Sequence, residues 1–346
     1  MKFKGLVLLL IFGAFGLSSC IKEPNSNGGD TLEYSNKRVG VLCEGNYMWN
    51  NARFDVYSID SNQYYSNMFE SVNKMPLGDV LQSGCTDTNY VWLSVNNSGK
   101  IVALNRKTLK QQKSRGGLKS PRYILPVKQY LFVSDLTANA VLMLDSATLQ
   151  TVHEFKVMSG TSGSNRYGWT EQMALWNNEV VVSCYDGYLM FINPSTKNSY
   201  KYEADTGCQN LVVDKNNSLW VLSSVNGLAS IVCYGSNQKE LKRFAFPAGD
   251  GVSRLCLSPN GTGLIYIHKN KVMKLGVTAN SLADASVVYS GLQTCYGLGI
   301  DPRNGWVYIA DAKDYVSEGK VFILNENYEL VKSYNSGIIP GGFVFF

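Results

Sequence analysis

The chain has 346 residues, with 32 Lys and Arg against 27 Asp and Glu, a formal net charge of +5, and 45% hydrophobic residues. The positive charges form no basic stripe, which argues against nucleic acid as a partner. Eight cysteines without one CxxC pair give no support to a zinc site.

Residues 1–19 read as a secretion signal, with Lys2 and Lys4 before the apolar stretch 6–15. That stretch is too short to span a bilayer as a helix. Leu17-Ser18-Ser19-Cys20 matches a bacterial lipobox, so Cys20 is expected to carry a lipid anchor after cleavage. Cleavage removes Lys2 and Lys4 and lowers the formal charge from +5 to +3. Residues 20–36, rich in Asn, Ser and Gly, read as a flexible tether.

From Lys37 the pattern of apolar run, polar turn and apolar run recurs seven times. The hairpins fall at 38–43/53–58, 90–95/101–104, 130–134/140–144, 179–184/189–192, 219–223/229–233, 263–268/272–275 and 306–310/320–324. Their markers Val39, Val91, Leu131, Val180, Leu219, Leu264 and Val307 are spaced by 52, 40, 49, 39, 45 and 43 residues. Such a period, with several short strands per unit, signals stacked small sheets that cannot bury their faces alone. The β-branched and aromatic runs are too short for helices, and Asn, Asp, Gly and Ser fill the turns. An apolar strand before each hairpin and a more polar one after it give four strands per unit. The expectation is an all-β protein, a seven-bladed β-propeller over 37–346. The first unit has no inner strand of its own, so residues 343–346 are expected to supply it and close the ring.

Beyond Cys20 seven cysteines remain, an odd number. Most are expected as buried strand residues, with a disulfide between Cys184 and Cys208 as the open alternative, because both fall near one face of adjacent blades. His153 falls in an outer strand, and His268 ends the second strand of the sixth unit. No nucleophile elbow, phosphate loop, metalloprotease or calcium motif occurs. No catalytic or metal-binding residue is therefore assigned, and the expectation is a binding protein without a required cofactor.

Loops after the second strands and loops leading into the inner strands emerge on one face of such a ring, held by the sheets beneath. Those loops hold aromatic side chains among amides and charges, as a large polar ligand with flat faces requires. Asn46, Asn50, Asn97, Asp135, Asp186 and Asp311 are the candidate polar contacts on that face. Arg122, Arg166 and Lys313 are the candidate cationic contacts. Trp49, Tyr167, Trp169, Tyr185 and Tyr315 would cover apolar edges, with His268 beside them.

Glu44-Gly45-Asn46, the run 95–100 (Val-Asn-Asn-Ser-Gly-Lys), Ser120-Pro121-Arg122-Tyr123-Ile124, Asp311-Ala312-Lys313-Asp314-Tyr315-Val316 and Pro340-Gly341-Gly342-Phe343 resemble the YncE-like propeller lipoproteins of Bacteroidetes. The resemblance covers the whole chain after the signal. Members with an assigned role are surface lipoproteins that bind vitamin B12. The resemblance thus implies a lipid-anchored outer-membrane protein, exposed at the cell surface. It also implies cobalamin or a related cobamide as bound ligand and a TonB-dependent B12 transporter as partner. The alternative is a surface propeller that binds a glycan or a protein partner without B12. A lyase or hydrolase with His268 or an aspartate as base is a third class.

Overall fold

The computed structural model describes residues 37–157 and 168–346; the signal segment, Cys20, the tether, Arg166 and Tyr167 lie outside the described residues. The described residues form seven four-stranded antiparallel sheets. Six follow chain order, and the seventh joins Arg38–Cys43, Arg53–Ser58 and Gln63–Tyr65 to the last strand, Pro340–Phe345. The inner strand of each blade touches those of both neighbours, and the series closes on itself. The molecule is a seven-bladed β-propeller, as the repeat predicts.

The second strands are buried along almost their full length. They show no alternation of apolar and polar residues, because neighbouring blades cover both faces: Val91, Trp92, Leu93 and Val95 have no exposed surface. Such strands read as continuous apolar runs, which explains why the hairpins are visible in the sequence. Outer strands behave differently. Thr151–Lys156 buries only Phe155 well, and His153 lies there as expected, its ring 4.5 Å from that of Phe155.

Closure follows the alternation of a strand. Val344 and Phe346 pack with Phe54, Leu42 and Leu81 on the side of blade two. Phe343 and Phe345 turn the other way, with ring centroids 5.7 and 5.5 Å from Tyr308 of blade seven. One strand therefore ties three blades together. Two short helical turns, Met68–Asn73 and Leu282–Asp284, depart from the expected all-strand units. The first buries Met68 and Phe69 beneath blade one.

All seven cysteines of the described residues are free thiols. The Cys184–Cys208 disulfide is therefore not formed. The Cys208 thiol is engaged with the Asp205 carbonyl at 3.0 Å and the Ser223 hydroxyl at 3.3 Å. Burial pushes its pKa up to about 12, so it is a protonated, unreactive packing group at neutral pH.

Candidate functional site

Every inner strand carries a β-bulge at the same height. The pairing skips Gln82 in blade two, Arg122 and Tyr123 in blade three, and Glu171 and Gln172 in blade four. It skips Gln209, then Arg254 and Leu255, then Tyr296 in blades five to seven, and Gly341 in blade one. A bulge re-aims a side chain that the pleat would otherwise send between blades. Here Gln82, Arg122, Tyr123, Glu171, Gln209, Arg254 and Tyr296 all line one cavity of about 530 Å³ at the mouth of the ring. Carbonyls freed by the bulges find new partners, as buried backbone groups must. The Ser83 hydroxyl donates to the Arg122 carbonyl, and the Ser183 hydroxyl donates to the Gln209 carbonyl at 3.1 Å.

Blade one contributes no side chain from its bulge. A Cβ on Gly341 would lie 2.6 Å from Oε1 of Glu44, so the bare glycine is what lets Glu44 occupy that sector. Tyr296 donates its hydroxyl proton to this carboxylate, at 3.1 and 3.3 Å from its two oxygens.

The two arginines are held differently. Arg122 makes a forked pair with Glu171, at 2.9 and 3.0 Å from Nη2 to its two oxygens, and donates from Nη1 to Gln82. Among the described residues Arg254 donates only its Nε, to the Tyr296 carbonyl at 2.9 Å, and its guanidinium lies 5.2 Å from the centre of the Tyr296 ring. Between them runs a chain of amides. Gln172 Oε1 accepts from Asn210 Nδ2 at 3.1 Å and from the Leu211 amide at 2.9 Å, while Asn210 Oδ1 accepts from the Arg254 amide at 3.1 Å.

Burial pushes the carboxyl groups of Glu44 and Glu171 above their ordinary pKa, although Arg254 opposes this at Glu44 and Arg122 at Glu171. Burial also works against the charge on both arginines. Glu171 beside Arg122, and Tyr123, Tyr296 and Glu44 around Arg254, outweigh it and hold both guanidinium groups charged. Burial raises Tyr123 as well. Among the described residues the cavity thus sets two cations, two carboxyls and neutral phenols among amides, suited to a polar ligand with both charged and neutral bonding groups.

The structure sorts the predicted residues by place. Arg122 and Tyr185 line the cavity itself. Trp169 packs on Tyr185 with centroids 5.8 Å apart, and Tyr315 stands edge-on to Tyr296 at 5.6 Å, so both extend the cavity wall to the rim. On that rim Trp49 is 74% exposed, and Asn50 and Lys313 sit nearby with left-handed backbones. Asn46 donates from Nδ2 to the Tyr315 carbonyl at 2.9 Å, tying two rim loops together.

Other predicted residues bond within the protein or lie outside the cavity lining. Asp135 accepts from the amides of Lys119 and Ser120 at 2.9 and 2.8 Å, and Asp311 from those of Gln293, Thr294 and Lys313 at 3.0, 2.8 and 2.9 Å. Both are buried. Asn97 donates to Asp79, whose carboxylate also takes the Met48 amide at 2.7 Å. Asp186 lies in a turn outside the cavity lining. His268 is also outside it, with Nε2 at 2.9 Å from Asp250, a carboxylate that Lys269 shares at 3.0 Å. Glu44, Glu171, Gln82, Asn210, Arg254 and Tyr296 are not among the sequence candidates. Apart from Glu44, which follows the second strand Arg38–Cys43, their signal is a polar or aromatic residue near the start of an inner strand. Gln82, Arg122 and Glu171 each stand eight residues before their second strands begin, at Tyr90, Tyr130 and Glu179.

No protein-family model and no curated protein sequence matches the chain. Solved propellers share its fold at low identity. A quinonprotein alcohol dehydrogenase-like protein from Bacteroides thetaiotaomicron superposes with a TM-score of 0.71 at 13% identity, covering 90% of this chain and 78% of its own. A protein from Lactobacillus plantarum gives 0.67 at 11% identity, over 90% and 99%. A protein from Bacteroides fragilis, named provisionally as a 6-phosphogluconolactonase, gives 0.68 at 11%, over 92% and 100%. These likenesses establish the propeller and extend to Bacteroides proteins.

Proposed function

We propose that this propeller is a non-enzymatic receptor, lipid-anchored through Cys20 at the outer membrane, that captures a cobamide and passes it to a TonB-dependent transporter. The observation that carries the binding role is the convergence of the bulged side chains on one polar cavity under a fixed aromatic rim. Tyr47, Met48 and Trp49 stand 67%, 76% and 74% exposed, yet their loop is pinned by the Asp79 carboxylate and by Asn51, whose Oδ1 accepts from the Asn46 amide at 2.8 Å. Loops held in this way lose little entropy when a ligand binds, which favours tight capture.

A corrin with its nucleotide loop is larger than a 530 Å³ cavity. It would lie across the rim on Trp49, Trp169 and Tyr315 and send one polar arm inside. Polarity along the strand supports the anchoring. Arg38–Cys43 runs from the Phe346 end of the ring to Glu44 at the cavity, so the chain before Arg38 joins the ring on the face opposite the cavity. An anchor on that side leaves the rim pointing outward.

Calorimetry with cyanocobalamin on the soluble fragment from residue 21 tests the reading. A saturable one-site heat is expected, weakened by Trp49→Ala. Absence of heat at micromolar protein overturns the cobamide assignment. Saturable binding on a glycan array without a cobamide response moves the assignment to carbohydrate, which the same exposed aromatics would serve by stacking.

A further inference from the structure

We propose that Arg254 is the anion anchor of the cavity: its guanidinium takes one carboxylate or phosphate group of the ligand, while Glu44, across the Tyr296 ring, takes a hydroxyl or amide donor of the same molecule. This deepens the binding role argued above and rests on the cavity being the ligand site.

The contrast with Arg122 is the first ground. Both arginines come from bulges at one height, and both line the cavity. Arg122 commits Nε and both Nη atoms to Glu171 and Gln82. Arg254 commits only Nε, and among the described residues no carboxylate lies within ion-pair distance of it. Its four remaining N–H donors are left for the cavity. A guanidinium with two parallel donors fits a carboxylate or phosphate in a forked geometry, which an ammonium group does not.

Backbone strain is the second ground. Arg254 has φ of +56°, alone among the polar and aromatic bulge residues that line the cavity. A residue with a Cβ is strained there, and such strain persists where the surroundings impose it, commonly at ligand sites. The surroundings here are explicit: Gln172 of blade four holds Asn210 of blade five, which holds the Arg254 amide of blade six. Three blades cooperate to place one guanidinium.

Charge sets the ligand class. With Arg122 neutralised by Glu171, the cavity offers one uncommitted cation among the described residues, and Glu44 and Glu171 repel a second negative group. A singly charged ligand that also carries neutral donors fits: a hydroxylated carboxylate, or a phosphodiester with amides or hydroxyls beside it.

The test measures binding of four probes to the purified protein by calorimetry: gluconate, dimethyl phosphate, neutral glucose and cyanocobalamin. Gluconate or dimethyl phosphate should bind and glucose should not, and which of the two binds tells carboxylate from phosphate. Arg254→Gln should weaken the anion about tenfold or more, the usual scale for losing a charged hydrogen-bond partner. Arg254→Lys should be intermediate, because it keeps charge without the fork, and Lys332→Gln on the outer strand of blade seven should bind as wild type. Equal anion binding by wild type and Arg254→Gln overturns the proposal, as does no anion binding at millimolar concentration. If Arg254→Gln does not fold, Arg254→Lys with unweakened binding is the refuting result. Anion binding without cyanocobalamin binding would retain the anchor and reject the cobamide. Cyanocobalamin binding unaffected by either Arg254 variant would do the reverse.

Discussion

Replacing Phe346 with Ala tests whether the last strand closes the ring, without touching the ligand face. The ring of Phe346 is 2% exposed, stacks on Phe54 with centroids 6.4 Å apart, and lies 4.7 Å beneath the Arg38 guanidinium. The main-chain bonds remain in the variant: Phe346 donates to the Arg38 carbonyl at 2.9 Å and accepts from its amide at 2.6 Å. Only ring burial is lost, so the cost should be about 3–5 kcal/mol. Against a typical stability of about 5–15 kcal/mol this is severe but survivable. For a chain of this size it corresponds to a fall in melting temperature of roughly 5–10 °C. Deleting residues 343–346 goes further. It adds the loss of Val344, about 1.5–3 kcal/mol when fully buried, the contacts of Phe343 and Phe345 with Tyr308, and the pairing that covers the edge of Arg38–Cys43. That sum approaches the whole stability, and the bared edge invites aggregation. Thermal melting and size-exclusion chromatography read both outcomes. A deletion variant that stays monomeric with an unchanged melting temperature would falsify closure by this strand.

Three further outcomes follow from the cavity. Gly341→Ala brings a Cβ to 2.6 Å from Glu44 Oε1, the mobile end of a side chain. The melting temperature should therefore barely move, while a crystal structure should show Glu44 displaced from Tyr296; an unmoved Glu44 contradicts the role assigned to the glycine. Asp311→Ala strands the amides of Gln293, Thr294 and Lys313. It should cost about 1–3 kcal/mol through the loops even without ligand, and a neutral effect on denaturant unfolding would refute the capping role. Burial holds the folded-state carboxyl of Glu44 above its ordinary value of 4.5, with Arg254, Tyr296 and Arg122 facing it. A raised acid favours the folded state when protonated, so its contribution is full below that value and is lost as pH rises through the folded pKa. Relative to wild type, Glu44→Gln should gain stability as pH climbs above 4.5; a difference that stays constant from about pH 4 to 8 contradicts this.

What could be read from the residues depended on what surrounds them in the ring. The second and third strands are covered on both faces, so hairpins such as Tyr90–Val95 with Lys100–Asn105 stand out as unbroken apolar runs. Outer strands face water, and their ends are correspondingly indistinct: the last one of blade seven runs as Leu330–Ile338 with only Ser336 and Gly337 buried. The candidate face was legible, because loop position follows from strand order. The roles within it were less so. An aspartate that caps backbone amides and one that meets a ligand are the same residue in the same kind of loop, and Asp135 and Asp311 both cap. Conversely, nothing in the sequence singles out Gln82, Glu171 and Arg254, because a bulge leaves no mark except a polar residue where the pleat calls for an apolar one.

That same device separates the chemistry of the site from the stability of the blades. At least one side chain from each bulge of blades two to seven leaves the interface between sheets and enters the cavity, so exchanging it alters what the ring can bind while the apolar layers stay intact. Arg254 shows the limit of this freedom, since its placement draws on Gln172 and Asn210 from two other blades. A change at Gln172 should therefore weaken an anion held by Arg254, although Gln172 is not itself in the cavity lining and reaches the Arg254 backbone only through Asn210. In Gln172→Ala the Asn210 amide and the Leu211 N–H lose their acceptor, and the Arg254 bulge is no longer held at its strained dihedral. Affinity for gluconate or dimethyl phosphate, whichever the wild type binds, should fall severalfold while glucose stays unbound. If it does not change, the amide chain is packing alone, and the strain at Arg254 has another origin.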